Sequence, residues 1–152
     1  MDATLTTMAP EQLAEYLATT FDEYIAELVK SGRTPEEAQA NADENRAKAF
    51  DGDRTINGNE VFTVQFDGQR IGVLWIGPRD GDGAWWIFDI ELDPEFRGRG
   101  LGRATMLLAE DAVRERGGTT LGLNLFAHNT TARALYESLG YEPMSLQLRK
   151  AL

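Results

Sequence analysis

Three arginines are interleaved with three glycines in Arg97-Gly98-Arg99-Gly100-Leu101-Gly102-Arg103. An apolar run, Ile87 to Leu92, leads in and stops at Pro94. Ala104-Thr105-Met106-Leu107-Leu108-Ala109-Glu110 follows with helical spacing. The pattern predicts a strand, a glycine-rich turn and a helix. Such a turn leaves backbone N–H groups bare at a helix N-terminus, where partial positive charge collects and phosphate binds. Glycine lets a ligand approach the backbone closely, and an arginine can reach a phosphate oxygen. The stretch reads as a pyrophosphate cradle. Two common phosphate-binding strings fail here. G-x-G-x-x-G meets Arg103 or Thr105 at its last position, and G-x-x-x-x-G-K-[ST] is absent. What remains is R-x-x-G-x-G at Arg97, Gly100 and Gly102.

Asp89 and Glu91 are carboxylates inside the apolar run that leads into this turn, Trp85-Trp86-Ile87-Phe88-Asp89-Ile90-Glu91-Leu92. Strict alternation along a strand would put both on the face carrying Trp85 and Ile87. A carboxylate inside an apolar strand is costly unless it is partnered. Each is therefore a candidate either for proton transfer or for a structural hydrogen bond. His128 is the only histidine and reads as a loop residue. The chain has no cysteine, which removes disulfides, thiolate metal sites and a cysteine nucleophile.

The elements that must position these groups follow from periodicity. Ala3 to Met8 reads as a short strand. Leu13, Tyr16, Leu17, Phe21, Tyr24, Ile25 and Leu28 recur at helical spacing behind Pro10, up to Gly32. Thr34-Pro35-Glu36-Glu37 has the form of a capping box opening a second helix, polar nearly all round, to about Ala49. Asp51-Gly52-Asp53 and Asn57-Gly58-Asn59 break the chain. Glu60 to Phe66 and Arg70 to Gly77 read as a hairpin joined by Asp67-Gly68-Gln69, and Ala84 to Leu92 as a central strand. A helix from about Leu101 to Arg116, a strand from Leu121 to Phe126, a helix from Thr131 to Leu139 capped by Asn129 or Thr130, and a last strand from Ser145 to Lys150 complete the order. This is an α/β (α+β) chain with one mixed sheet covered by helices.

A chain of 152 residues suits one domain. Its net charge is −10. That disfavours nucleic acid, which needs a basic footprint, and suits a cationic small molecule or peptide; equally, it keeps the protein soluble. No apolar run approaches the roughly 20 residues that span a membrane, and the N-terminus has no signal-peptide pattern. A cytoplasmic protein with no membrane partner is expected. Residues 1–60 hold thirteen Asp/Glu against five Lys/Arg. They form either an acidic wall beside a site or two solvated amphipathic helices. Trp75, Trp85, Trp86, Tyr24 and Phe21 read as core, with an acceptor pocket as the other use.

The second half of the chain carries a further pattern, a strand followed by Asn129-Thr-Thr-Ala132-Arg-Ala-Leu135-Tyr136-Glu-Ser-Leu-Gly140-Tyr141. It resembles the signature N-x-x-A-x-x-L-Y-x-x-x-G-[FY] of the GNAT superfamily of acyl-CoA-dependent N-acyltransferases. Leu92 to Gly102 is similar to that family's other signature, and the two together span residues 84–142. The resemblance implies a mostly antiparallel sheet with splayed central strands and helices on both faces. It implies one N-acetyltransferase domain over 1–152, with 1–60 on the acceptor side and 84–142 binding acetyl-CoA as co-substrate, without a metal. The pyrophosphate would lie on the backbone of Gly98 to Arg103. Arg97, Arg99 or Arg103 would lie within reach of it. The extended arm of the cofactor would pair with Ile90-Glu91-Leu92 through backbone groups, and Asn129 would contact it. Tyr136 matches the tyrosine that serves the leaving sulfur. The amine's proton would go to Glu91, to Asp89 or into a water chain. The position where some members carry a glutamate is Asn124 here, which leaves two other readings open: an acyl-CoA-binding module without transferase activity, and a transferase for a longer acyl chain. The expected partner is a small-molecule or peptide amine; a homodimer is allowed by the resemblance.

Overall fold

The computed structural model describes residues 2–152. Strand β1 (Ala3–Thr7) leads to helix α1 (Pro10–Lys30). Pro10 takes the first helical position, where its missing N–H costs nothing. The buried stripe Leu13, Tyr16, Leu17, Phe21 and Leu28 keeps the helical period. Helix α2 (Pro35–Ala49) starts at the expected capping box: the Glu37 N–H donates to Thr34 Oγ1 at 3.2 Å and the Thr34 N–H to Glu37 Oε2 at 3.1 Å. α2 is polar as expected, but it is seated by a seam of small residues. Ala38, Ala42 and Ala49 are buried, and only methyl groups there allow so close an approach to its neighbours.

The residues expected to break the chain after α2 form a two-stranded ribbon, β2 (Phe50–Asp51) with β3 (Arg54–Thr55), turning at Asp53 and at Gly52 with φ +60°. Strands β4 (Glu60–Phe66) and β5 (Gln69–Pro78) form the expected hairpin. Its connection is two residues, Asp67 and Gly68, both at positive φ, the conformation that matches strand twist. Gln69 thus belongs to the strand. Strand β6 (Ala84–Leu92), helix α3 (Leu101–Glu115), strand β7 (Thr120–Leu123) and helix α4 (Thr130–Ser138) follow, with a 3-10 turn at Pro94–Phe96.

The main sheet runs β1-β4-β5-β6-β7. Its first three pairings are antiparallel, and β6–β7 is parallel. Two apolar layers cover its faces. Phe62, Val64, Leu74, Ile76 and Ile87 pack with Met106, Ala109 and Val113 of α3. Val61, Val73 and Trp75 pack with Leu13, Tyr16, Leu17 and Phe21 of α1. No helix of the described residues is long and apolar enough to cross a membrane.

Two expectations do not hold. The strand expected from Leu121 to Phe126 ends at Leu123, where it parts from β6. Ser145 to Lys150 forms no strand. Its alternation is genuine, but a strand needs a neighbour for its backbone groups, and in this chain none lies against it. Met144 and Leu148 stand more than 90% exposed.

Candidate active site

The site is built around an irregularity in β6. Ile76 pairs with Ile87, yet the next pair is Trp75 with Asp89, so Phe88 is an extra residue. This β-bulge resets the alternation. Ile87 and Ile90 both lie in the layer beneath α3, together with Trp85 and Leu92. Asp89 and Glu91 lie opposite Trp75 and Val73, toward α1. The shared face expected for the carboxylates with Trp85 and Ile87 is therefore wrong: one inserted residue turns them to the other side. Phe88 stacks on Trp75 with ring centroids 4.9 Å apart, which holds the bulge in place.

The bulge falls where β6 loses its neighbour. Pairing with β7 runs from Ala84–Thr120 to Ile87–Leu123 and stops. From Phe88 to Leu92 one edge of β6 is free of any strand, including the backbone groups of Ile90, Glu91 and Leu92. The Leu92 carbonyl accepts a hydrogen bond from Arg97 Nε at 3.0 Å.

That free edge runs into the glycine turn. Gly98 and Gly100 adopt φ of +71° and +78°, a conformation that other residues reach only at a cost. A Cβ on either would meet nothing within 4 Å, so both open onto space. Gly100 is the N-cap of α3 and supplies no side-chain cap. The N–H groups of Leu101, Gly102 and Arg103 are thus left without intrahelical acceptors. At Gly102 a Cβ would meet the Leu135 side chain at 3.3 Å, so this glycine sets the approach of α3 to α4. Arg99 lies over the Phe96 ring at 5.6 Å. Arg103 donates to Ser138 Oγ at 2.6 Å, tying the turn to α4.

On the α1 side, Asp89 Oδ2 accepts from the Tyr16 hydroxyl at 2.5 Å and from Thr20 Oγ1 at 3.3 Å. Burial raises the pKa of Asp89, while these two donors and the Ile90 N–H oppose the rise. Tyr16 is pushed well up, by burial first and then by the Asp89 charge. Glu91 makes no such bonds. Desolvation, reinforced by the charges of Asp89 and Glu23 and opposed by Arg97, lifts its pKa to about 7. Glu91 lines a cavity of about 290 Å³ together with Gln12, Glu15, Tyr16, Thr19, Thr20, Glu23, Arg70 and Val73. A half-neutral carboxyl on an open cavity can exchange protons near neutrality. Among the described residues no group of three His, Asp or Glu side chains could hold a metal ion.

Tyr136 of α4 is buried in the layer beneath α3 and packs edge-on to Tyr141, centroids 6.2 Å apart. Its pKa is raised by burial and then by Asp89, so it stays protonated and able to donate. Asn129 Oδ1 caps α4 by accepting from the Ala132 N–H at 3.3 Å. His128 Nε2 lies 3.0 Å from Glu27 Oε2 and joins this loop to α1. Phe21 and Trp75 are core, and Trp85 packs against the other layer. Tyr24 is held by Asn41 and Asn45, and Arg79 lies 3.9 Å over Trp86.

The structure brings together Asp89, Glu91 and the free β6 edge, with the glycine turn continuing from them. The partners that sequence reasoning missed are Tyr16, Thr20 and Glu23. They stand at i, i+4 and i+7 on α1, a polar line beside the apolar stripe. That line was visible in the sequence, but nothing in it named Asp89 as its target.

Residues 18–141 match the Acetyltransferase (GNAT) family. Over its whole length the chain is 30% identical to an uncharacterised N-acetyltransferase of Bacillus subtilis, YycN, all of which is covered. Its fold superposes on the crystal structure of YycN with a TM-score of 0.88, covering 99% of this chain and 98% of that one. A second Bacillus subtilis relative, the uncharacterised N-acetyltransferase YdgE, is 28% identical over all of this chain and 99% of its own. A GNAT family acetyltransferase of Elizabethkingia anophelis, solved with acetyl-CoA bound, shares the fold over 58% of this chain and 57% of its own, with a TM-score of 0.54 at 17% identity.

Proposed function

This chain belongs to the GNAT acetyltransferase family, and from that premise we propose that it moves the acetyl group of acetyl-CoA onto a primary amine by direct attack in a ternary complex. The observation that carries the reading is the bulge at Phe88. It opens one edge of β6 toward the glycine turn and, in the same step, turns Glu91 into the cavity beside α1.

The donor half fits the residues present. Three acceptor-less N–H groups at the start of α3, next to open space at Gly98 and Gly100, suit a pyrophosphate. Arg97 and Arg99 stand beside it as exposed cations. The backbone of Ile90 to Leu92 offers strand-like pairing to an extended amide arm, and the Asn129 side-chain NH₂ remains available while its oxygen caps α4. Acetyl-CoA supplies the activated thioester.

The remaining work falls to the chain's own groups. Glu91 accepts the proton of the acceptor ammonium, its pKa near 7 matching that task. Asp89, held by Tyr16 and Thr20, positions the strand and keeps the Glu91 pKa high. A backbone N–H on the free edge of β6 stabilises the charge that develops on the carbonyl oxygen. The Tyr136 hydroxyl donates to the departing sulfur. The acceptor is a small-molecule or peptide amine held in the cavity bordered by Glu15, Glu23 and Glu91, and the protein works in the cytoplasm as a single domain without nucleic acid or membrane.

The test mixes the protein, acetyl-CoA and a panel of amines, and follows free thiol. Amine-dependent thiol release is expected. Binding of CoA with no release from any amine would overturn transfer in favour of a binding module. Preference for a longer acyl-CoA in competition would overturn the acetyl donor.

A further inference from the structure

The cavity beside Glu91 holds about 290 Å³, and Val73 is the one aliphatic side chain among those that line it. The one cation in its lining, Arg70, already lies 3.8 Å from Asp93. Glu15 and Glu23 line it from α1, eight positions or about 12 Å apart along the helix axis. Helix α1 starts beside β4, where the Met8 N–H donates to the Val61 carbonyl, and ends its crossing near His128, which meets Glu27. Along that path Glu15 lies on the β4 side of Glu23.

The sheet beneath carries an unpartnered group. The register sets Thr63, Val73 and Glu91 side by side in one row across β4, β5 and β6. Val61 and Val73 pack toward α1, and Thr63, two positions from Val61, faces the same way. It is only 5% exposed, and its Oγ1 has no hydrogen-bond partner. A buried hydroxyl in that state is costly. This one is turned to the row that forms the cavity's floor, two strands or about 10 Å from Glu91.

Glu23 lies close enough to Glu91 to help raise its pKa. Together they attract the reacting ammonium, and Glu91 takes its proton. Glu15 stands about two helical turns away and is left to hold something else. We infer that the acceptor is a linear aliphatic di- or polyamine laid along this row, with its reacting nitrogen at Glu91 and a second ammonium about 10 Å away, between Glu15 and Thr63. An ammonium donates hydrogen bonds and accepts none, so a carboxylate and an unpartnered hydroxyl oxygen suit it. A monoamine would leave both unused. An α-amino acid would set its own carboxylate beside those of Glu23 and Glu91. The inference rests on the transferase reading above. In the step itself the nitrogen gives one proton to Glu91 and forms the C–N bond as the C–S bond breaks. Its second proton leaves with the sulfur by way of Tyr136, and the far ammonium keeps its charge.

Thiol release from acetyl-CoA is compared for spermidine, putrescine, butylamine and a lysine amide blocked at its α-nitrogen. Spermidine should exceed butylamine in kcat/KM by on the order of a hundredfold, with the shorter putrescine between them. Glu15→Gln should lower kcat/KM for spermidine about tenfold, through KM, and Thr63→Val roughly three- to tenfold. If the hydroxyl were idle, removing it would leave spermidine kinetics as they are. Equal rates with butylamine or the blocked lysine, or a spermidine preference that survives both substitutions, would overturn the inference and leave the transferase reading standing. Putrescine equal to spermidine would overturn the placing of the second nitrogen. Calorimetry of spermidine on CoA-loaded protein separates the reverse case. Binding that Glu15→Gln weakens upholds this ligand class even if no amine releases thiol, and absence of binding overturns it.

Discussion

The Tyr16 hydroxyl donates a 2.5 Å hydrogen bond to Asp89 Oδ2 across 73 residues of sequence. It fastens the middle of α1 to the bulged stretch of β6 and gives a buried carboxylate the partner it requires. The neighbouring carboxyl, Glu91, is left free, and its elevated pKa depends in part on the charge that Tyr16 helps Asp89 to keep.

Tyr16→Phe removes a donor and keeps the ring. A buried carboxylate that loses a partner costs about 1–3 kcal/mol. Urea denaturation should show a loss of that size, and a change inside experimental scatter would mean that Thr20 and the backbone suffice to hold Asp89.

Asp89→Asn keeps the shape and deletes the charge. The like-charge contribution to Glu91 disappears, so the Glu91 pKa should fall. The acid limb of kcat/KM against pH should move to lower pH while the CoA affinity holds. An unmoved limb would show that the two carboxyls do not interact in the working enzyme.

Glu91→Gln should lower turnover at neutral pH by roughly 10²–10⁴-fold and abolish the limb near pH 7. A profile that overlays the parent's removes Glu91 as the base. The same group bears on stability with a definite sign. Its folded pKa, about 7, lies above its ordinary value of 4.5, so the folded state holds the proton more tightly. That contribution is complete below about pH 4.5 and is lost as pH rises through 7. The melting temperature should therefore decline across this window, and Glu91→Gln should flatten the decline.

Tyr136→Phe should reduce turnover and leave CoA binding nearly intact, because the hydroxyl acts on the sulfur while the ring supplies the packing. Equal turnover would remove Tyr136 from the chemistry.

Gly100→Glu should abolish CoA binding in calorimetry. The residue sits at φ +78° with open space in front of it. A carboxylate there meets no protein atom but occupies the phosphate's position with the wrong charge. Retained binding would move the pyrophosphate elsewhere.

Much of this was legible in the sequence because the signals were local. The capping box at Thr34, the stripe on α1, the hairpin at Asp67-Gly68 and the glycine turn each follow from residues within a few positions of one another. The face of Asp89 and Glu91 was not legible, because alternation assumes a regular strand and Phe88 breaks it. The partnership of Tyr16 with Asp89 was hidden for a different reason: it is decided by how α1 docks on the sheet. Ser145 to Lys150 shows the converse, a correct strand pattern whose missing requirement is a neighbour.

The bulge at Phe88 makes this stretch of the chain tolerant of one loss in length. Many replacements within β6 would leave its frame intact. Deleting Phe88 would restore a regular ladder and leave Asp89, Ile90 and Glu91 opposite Trp75, Leu74 and Val73, on the faces they already occupy. Phe88 is in this sense a spacer, whose loss would take from the Trp75 ring its stacked partner and spare the direction of both carboxylates.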